Sequence, residues 1–247
     1  MNRYDVVVVG VGGIGSAVTY HLAKAGASVL GLDQYDIPND LGSSHGISRI
    51  IRLAYYEDPS YVPLLKRAYE LWHDLEFQFG KKLLITTGSI DAGPLGSDLV
   101  AGSLLSCQKY NLDHEMWDSN QLHRVFPGYS LPENYRAIYQ PAGGFLLPEE
   151  CIVAYSSRAM TLGADIRGRE KVISWESHTD RIKVITDKGA YYGNKLLICS
   201  GAWTANLLPK ISSLLKPERQ VVGWFQPIEP KNYTLENFPV FNLLWKG

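Results

Sequence analysis

Two groups of residues in this sequence have types and spacings suited to chemistry. The first is Gly10-Val11-Gly12-Gly13-Ile14-Gly15, with Asp33 following at roughly twenty residues. Gly10 permits a tight turn. Gly12 lets a pyrophosphate approach the backbone, where a Cβ would collide with it. Gly15 lets a helix pack closely on a sheet. The free N–H groups of a first helical turn, at the positive end of the dipole, suit phosphate charge. Asp33 is spaced to accept two ribose hydroxyls, and its charge would repel a 2′-phosphate, which disfavours NADP. The motif by itself leaves NAD and FAD both open.

The second group is Ile47-Ser48-Arg49-Ile50-Ile51-Arg52. Ser48 is read as the N-cap of a helix, which would put Arg49 and Arg52 on one face. Two arginines beside two isoleucines make a candidate anion site, since guanidinium grips a carboxylate bidentately. A solvated basic face is the alternative reading. No GxSxG, HExxH or P-loop lysine is present, and the six histidines show no metal-ligand spacing. His21 and His73 read as helix packing or surface residues, His114 as part of a polar loop. Glu149 and Glu150 read as partners of a helix dipole and not as an acid/base pair.

These residues need elements to position them. Tyr4 to Val9 is a β-branched apolar run that flows into the glycines. Ala17, Val18, His21, Leu22 and Ala25 then follow a helical period up to Gly26, and Ser28 to Leu32 forms a second strand ending at Asp33. Strand, glycine turn, helix, strand and acid thus occur in the order a dinucleotide-binding unit requires. A turn-rich loop runs from Gln34 to Gly46. Beyond it, the pattern predicts helices over 60–79, 98–110, 119–126 and 148–162. Strands are predicted over Lys82 to Thr87, Val172 to Trp175, Arg181 to Thr186, Ala190 to Tyr192 and Lys195 to Cys199, with another at Arg219 to Gln226. Pro141 to Leu147 reads as a turn and strand. Lys195 to Cys199 is a continuous apolar run, expected where both faces are buried.

Composition narrows the function classes. The chain has 247 residues, with 45% hydrophobic and 20% charged content, within the range of globular proteins. A net charge of −1 and the lack of a basic stripe argue against nucleic acid as partner. Cys107, Cys151 and Cys199 are odd in number and far apart, which reads as reduced thiols in a cytoplasmic protein. With a first strand at Tyr4, no signal peptide is expected, and no apolar run is long enough to span a membrane. No metal site is expected.

With those residues laid out, the sequence resembles the family of monomeric sarcosine oxidase, N-methyltryptophan oxidase and pipecolate oxidase, FAD enzymes of the D-amino-acid-oxidase-like group. The resemblance rests on Tyr4 to Asp33 and, more specifically, on Gly42-Ser43-Ser44-His45-Gly46-Ile47-Ser48-Arg49-Ile50-Ile51-Arg52-Leu53-Ala54-Tyr55. Further matches are Tyr61-Val62-Pro63, Leu71-Trp72, Leu131-Pro132-Glu133-Asn134-Tyr135, Gly201-Ala202-Trp203 and Arg219-Gln220-Val221-Val222-Gly223. It implies an α/β fold, α+β overall: a Rossmann-type FAD-binding domain with an inserted mixed-sheet substrate domain, incomplete at the C-terminus. The FAD-binding part would be 1–80 and 148–212, the substrate part 81–147 and 213–247.

The resemblance also implies roles. Gly10, Gly12, Gly13, Ile14, Gly15, Asp33 and Gln34 would hold the ADP half of FAD. Ser43, Ser44, His45, Ser48 and Arg49 would line the flavin, with Arg49 and His45 as the catalytic pair that stabilises negative charge on the reduced ring. Arg52 would bind the substrate carboxylate. Val172 would contact the adenosine side through its backbone, and Ser200, Gly201 and Trp203 would border the cofactor. The reaction would be oxidation of a secondary or N-methyl amino acid to an imine, with dioxygen reduced to hydrogen peroxide. Partners would be a small amino acid and dioxygen, and the complete protein would be a monomer.

Family members continue beyond the point matched by residue 247. The further segment supplies strands of the substrate domain, an oxygen-activating lysine, the cysteine that links flavin covalently in some members, and the last strand and helix of the FAD domain. The sequence is therefore expected to be a fragment or a truncated frame, or to be completed by a partner chain. A non-catalytic FAD-binding remnant and an FAD-dependent dehydrogenase are the competing readings. An NAD-dependent dehydrogenase accounts only for Tyr4 to Asp33.

Overall fold

In the computed structural model, residues 3–245 are described. Residues 1, 2, 246 and 247, the outer ends of the expected domains, lie outside them. The chain opens with β1 (Arg3–Val9), α1 (Gly13–Lys24), β2 (Val29–Leu32) and β3 (Arg49–Ile51). It continues with α2 (Val62–Phe79), β4 (Leu84–Thr86), β5 (Ser89–Pro94), α3 (Asp98–Tyr110), β6 (Glu115–Asp118) and α4 (Ser119–Val125). Next come β7 (Tyr135–Gln140), β8 (Gly144–Leu146), α5 (Pro148–Thr161), β9 (Asp165–Arg167) and β10 (Val172–Ser177). The last elements are β11 (Ile182–Thr186), β12 (Ala190–Ile198), α6 (Thr204–Leu207) and β13 (Val240–Leu243). They fall into two compact units, Met1–Ile47 with Leu147–Val222, and Ser48–Leu146 with Gly223–Gly247.

The first unit is built on one six-stranded sheet in the order β10-β11-β12-β1-β2-β9. β1 lies parallel to both β12 and β2, and β2 parallel to β9. β10, β11 and the start of β12 form an antiparallel meander at one edge. Parallel neighbours are buried on both faces and so need apolar, β-branched sequence, which Val6 to Val9 supplies. Val7, Val8, Leu30 and Leu32 are fully buried, and Tyr20 of α1 meets Tyr155 of α5 at 5.4 Å between ring centroids.

The second unit holds a four-stranded sheet, β13-β5-β7-β6, and a three-stranded one, β3-β8-β4. Its core gathers Ile90, Leu122, Phe126 and Ala137 around Trp117, whose ring stacks on Tyr139 at 4.8 Å. α4 begins with a capping box in which Asp118 accepts from the Gln121 N–H and Gln121 accepts from the Asp118 N–H.

Four expectations need correction. Ser48 does not cap a helix. Arg49, Ile50 and Ile51 form β3 and pair antiparallel with Leu146, Phe145 and Gly144 of β8. β-branched residues favour that pleated pairing, and side chains alternate along a strand, so Arg49 and Arg52 do not share a helical face. Arg219 to Gln226 is not a strand. Val221 and Phe225 are each 92% exposed, and the 219–226 run has no ladder partner among the described residues to satisfy a strand's backbone groups. Ala190 to Tyr192 and Lys195 to Cys199 are not separate strands but parts of the nine-residue β12. The latter run is also not buried on both faces, since Leu197 is 39% exposed. By internal packing, residues 48–80 fall within the second unit.

Candidate functional site

In the first unit, the turn after β1 is fixed by two neighbours. The Gly10 N–H donates to the Leu32 carbonyl at 2.8 Å, and the Cys199 N–H donates to the Val9 carbonyl at 2.7 Å. The carboxyl ends of β1, β2 and β12 are thereby held together. Gly10 has φ +91°, a left-handed conformation open to glycine, and an added Cβ would press on the Cys199 carbonyl. A Cβ on Gly15 would collide with the Gly10 carbonyl oxygen, so α1 can sit this close to β1 only with glycine there.

Gly12 differs from both. Its φ of −81° suits any residue, and a Cβ built on it meets nothing within 4 Å. No internal contact requires glycine at this position. It stands at the N-cap of α1, which has no side-chain cap and no acid in its first turn. A helix start of this kind leaves N–H donors and positive dipole facing open space, and a Cβ would fill that space. These residues fit the pyrophosphate of a dinucleotide.

Asp33 ends β2. Its Oδ2 accepts from the Val11 N–H at 2.8 Å and its Oδ1 from the Tyr35 N–H at 3.0 Å. Each carboxylate oxygen keeps acceptor capacity for a hydroxyl. Gln34 and Tyr35 follow and line a cavity of about 500 Å³ with Asp36, Asn39, Leu41 and Arg169. Arg169 forks onto Asp36 at 2.7 and 3.0 Å, which holds the Asp36 carboxyl below its ordinary range. Val172 opens β10, opposite Thr186. At the end of β12, the Ser200 hydroxyl lies 3.1 Å from that of Thr204, and the Trp203 ring meets Tyr35 edge-on at 5.5 Å. Gly201 lies between them, exposed.

The loop after this cavity returns to the helix start. Ser44 is so close to Gly13 that a Cβ there would lie 2.6 Å from the Ser44 hydroxyl. Ser43 is exposed and His45 half-buried. Glu149, in the first turn of α5, fastens the loop. Its Oε1 accepts from the Gly46 N–H at 2.6 Å and the Ile47 N–H at 3.3 Å. Burial would raise the Glu149 carboxyl, but backbone N–H groups and nearby His45 outweigh it and hold the group below its ordinary value. Ile47 has φ +74°, a strained conformation for a β-branched residue, at the point where Glu149 holds it. Sequence reasoning saw only a dipole partner in Glu149; nothing in the linear pattern links it to a loop a hundred residues earlier.

The structure thus brings Gly10, Gly12, Gly13, Gly15, Asp33, Gln34, Ser44, Ser200 and Trp203 together in the first unit. Ile14, on the first turn of α1, is 74% exposed. Ser48, Arg49 and Arg52 belong to the second unit. Ser48 is exposed, and Arg49 donates to the Ser48 carbonyl at 2.7 Å.

Arg52 is nearly buried, at 11% side-chain exposure. Its Nε lies 3.3 Å from Asp91 Oδ2 and its Nη2 3.6 Å from Glu57 Oε2. The rings of Tyr55 and Tyr56 face the guanidinium at 5.0 and 5.7 Å. Asp91, in β5, is 3% exposed and accepts from the Ser103 hydroxyl and the Asn242 amide, both at 2.7 Å. Burial pushes its carboxyl up, and Arg52, Asn242 and Ser103 pull against that. Gln140, 1% exposed in β7, accepts from the Leu53 and Ala54 N–H groups at 2.8 and 3.1 Å. Sequence reasoning missed Asp91 and Gln140. A lone acid between Ile90 and Ala92, in a stretch to which the sequence pattern assigns no element, is the available signal for Asp91.

Among the described residues, no group of His, Cys, Asp and Glu could hold a metal ion. No helix among them is long and apolar enough to cross a membrane. Burial pushes the Cys107 thiol up to about 11.

Comparison with known proteins follows the same lines. The model of a family described as FAD dependent oxidoreductase matches residues 5–245. Monomeric sarcosine oxidase of Streptomyces avermitilis is 39% identical over 246 residues, covering 98% of this chain and 63% of that protein. N-methyl-L-tryptophan oxidase of Yersinia pestis is 35% identical over 250 residues, covering 99% of this chain and 67% of that protein. The solved structure of NikD, an unusual amino acid oxidase essential for nikkomycin biosynthesis, matches with a TM-score of 0.77 at 28% identity, over 85% of this chain and 55% of that one. Glycine oxidase from Geobacillus kaustophilus matches in fold, with a TM-score of 0.72 at 21% identity, over 86% and 59%. The chain spans 63% of the length of the first of these relatives.

Proposed function

The chain belongs to the family of FAD dependent oxidoreductases, and from that premise we infer that its protein oxidises a secondary or N-methyl amino acid to an imine, with dioxygen reduced to hydrogen peroxide. The observation that carries the cofactor half is Gly12, a glycine that no internal contact requires, at an uncapped helix start. FAD, when bound, supplies the two-electron acceptor for the amine and the route of those electrons to dioxygen.

The chain's own residues bind and orient. We assign the pyrophosphate to the N–H groups of Gly12, Gly13, Ile14 and Gly15, and the ribose to the spare acceptor positions of Asp33, with Gln34 and the Val172 backbone on the adenosine side. Ser43, Ser44, His45, Ser48, Arg49, Ser200, Gly201 and Trp203 are assigned to the rest of the cofactor. His45 and Arg49 offer it positive charge. Arg52 takes the substrate carboxylate, and the rings of Tyr55 and Tyr56 restrict water around the guanidinium. The first unit is read as the cofactor-binding part and the second as the substrate part. Reduced cysteines support a cytoplasmic location, and the similarity to monomeric sarcosine oxidase supports a monomer.

Purified protein tests this reading. Flavin absorbance together with peroxide release on addition of N-methylglycine is the expected result, and colourless protein would overturn it. A second reading, FAD held without turnover, is favoured by the apolar surface at Val221, Phe225 and Ile228, the last fully exposed. Flavin-coloured protein that releases no peroxide with N-methylglycine or pipecolate would select it.

A further inference from the structure

We propose that Asp91 is the positioning residue of Arg52, and that Gln140 fixes the backbone beside it, so that the guanidinium is set for a carboxylate before any ligand arrives. This rests on the assignment of Arg52 to the substrate carboxylate. The two residues lie on paired strands. In the β5–β7 register Asp91 stands opposite Ile138 and Ser89 opposite Gln140. One sheet therefore supplies an anchor for the Arg52 side chain and another for the N–H groups of Leu53 and Ala54, which follow it.

A carboxylate as buried as Asp91 is costly to desolvate unless its oxygens are compensated. Three elements compensate it: Ser103 from α3, Asn242 from β13 and Arg52 from the segment after β3. Cys107, Glu57 and Tyr56 are other titratable groups that sense this charge. The two acids on Arg52 differ in character. Asp91 is enclosed, whereas the Glu57 side chain is 42% exposed and stands on a terminal nitrogen. Nε of Arg52 is buried and pairs with Asp91 by charge, without hydrogen-bond geometry. A free arginine side chain loses rotamer entropy when it grips a ligand. One already held at Nε and flanked by two tyrosine rings has lost most of it beforehand.

Asp91→Asn keeps the side-chain shape and an oxygen for Ser103 or Asn242. In flavin-loaded protein with N-methylglycine as the probe, KM should rise about tenfold. kcat should change less than about twofold and flavin content not at all. Glu70→Gln, which removes an exposed carboxylate charge outside the cluster, should leave KM near the wild-type value. A simple loss of fold would not give this split, and an unchanged KM in Asp91→Asn overturns the proposal. A second readout needs neither turnover nor a folded Asp91 variant. In 15N-arginine-labelled wild-type protein, the Arg52 Nε–H resonance is identified by its loss in Arg52→Lys. It should exchange with water far more slowly than that of an exposed arginine such as Arg67. Equal exchange rates overturn the proposal. Absence of N-methylglycine turnover in the wild type would instead refute the oxidase reading, and the exchange measurement still decides whether the Arg52 side chain is held before a ligand arrives.

Discussion

The glycine cradle of the first unit and the Arg52 cluster of the second are made of different material. The cradle is backbone: Gly10 in a left-handed turn, Gly15 at contact distance from Gly10, and Gly12 over an uncapped helix start, all within one short stretch. The cluster is side chains gathered from far apart, with Arg52, Asp91, Ser103, Gln140 and Asn242 each on a different element or segment. A site made of consecutive backbone tolerates no side chain where atoms must meet. A site made of distant side chains tolerates backbone change but not the loss of a charge partner.

The contrast can be broken first at Gly15. Gly15→Ala forces a methyl group into the Gly10 carbonyl oxygen, and overpacking of this kind costs about 3 kcal/mol. Thermal unfolding should show a clear drop in midpoint. A wild-type melt would mean that the close approach of α1 to β1 is not needed for stability.

Next in size is Arg52. Arg52→Ala should lower kcat/KM for N-methylglycine by about 2–4 kcal/mol, because it removes one member of a desolvated charge pair, while flavin content stays constant. Equal loss of flavin would mean that the two sites are not separable in the way their construction suggests.

A smaller effect concerns pH. Glu76, at the end of α2, is 8% exposed and accepts from the Leu83 and Leu84 N–H groups at 2.8 and 2.9 Å. Burial would raise its carboxyl, but those two N–H groups, with His73 and Lys82, bring it down to about 2. A group depressed on folding contributes stability that is complete above its unfolded value of about 4.3 and is lost as pH falls through the folded value. Acid titration should therefore weaken the wild type between roughly pH 4 and 2, and Glu76→Gln should flatten that part of the curve. An unchanged curve in the variant would remove Glu76 from the account.

Legibility in the sequence followed the same division. The cradle from Tyr4 to Asp33 was readable because its constraints are local: a β-branched strand, glycines at fixed offsets, a helical period and an acid. The cluster was only half readable. Arg52 was visible as a candidate, yet the helix expected from Ser48 is a strand, because pairing with β8 lies about a hundred residues away and no local cap signal reports it. Asp91 stood in an unread strand, and its partners Ser103 and Asn242 are joined to it only by the fold. The 219–226 run misled in the opposite direction, since an apolar stretch becomes a strand only when a ladder partner is present.

The most direct test of the central claim is Gly12→Ala, compared with wild type for stability and for flavin content. Gly12 has an ordinary φ and free space around its Cβ position, so the cofactor-free variant should unfold within about 0.5 kcal/mol of wild type. Its FAD retention after purification should fall at least about tenfold, because the added methyl occupies the place assigned to the pyrophosphate. A variant that keeps wild-type flavin content would contradict the cradle assignment.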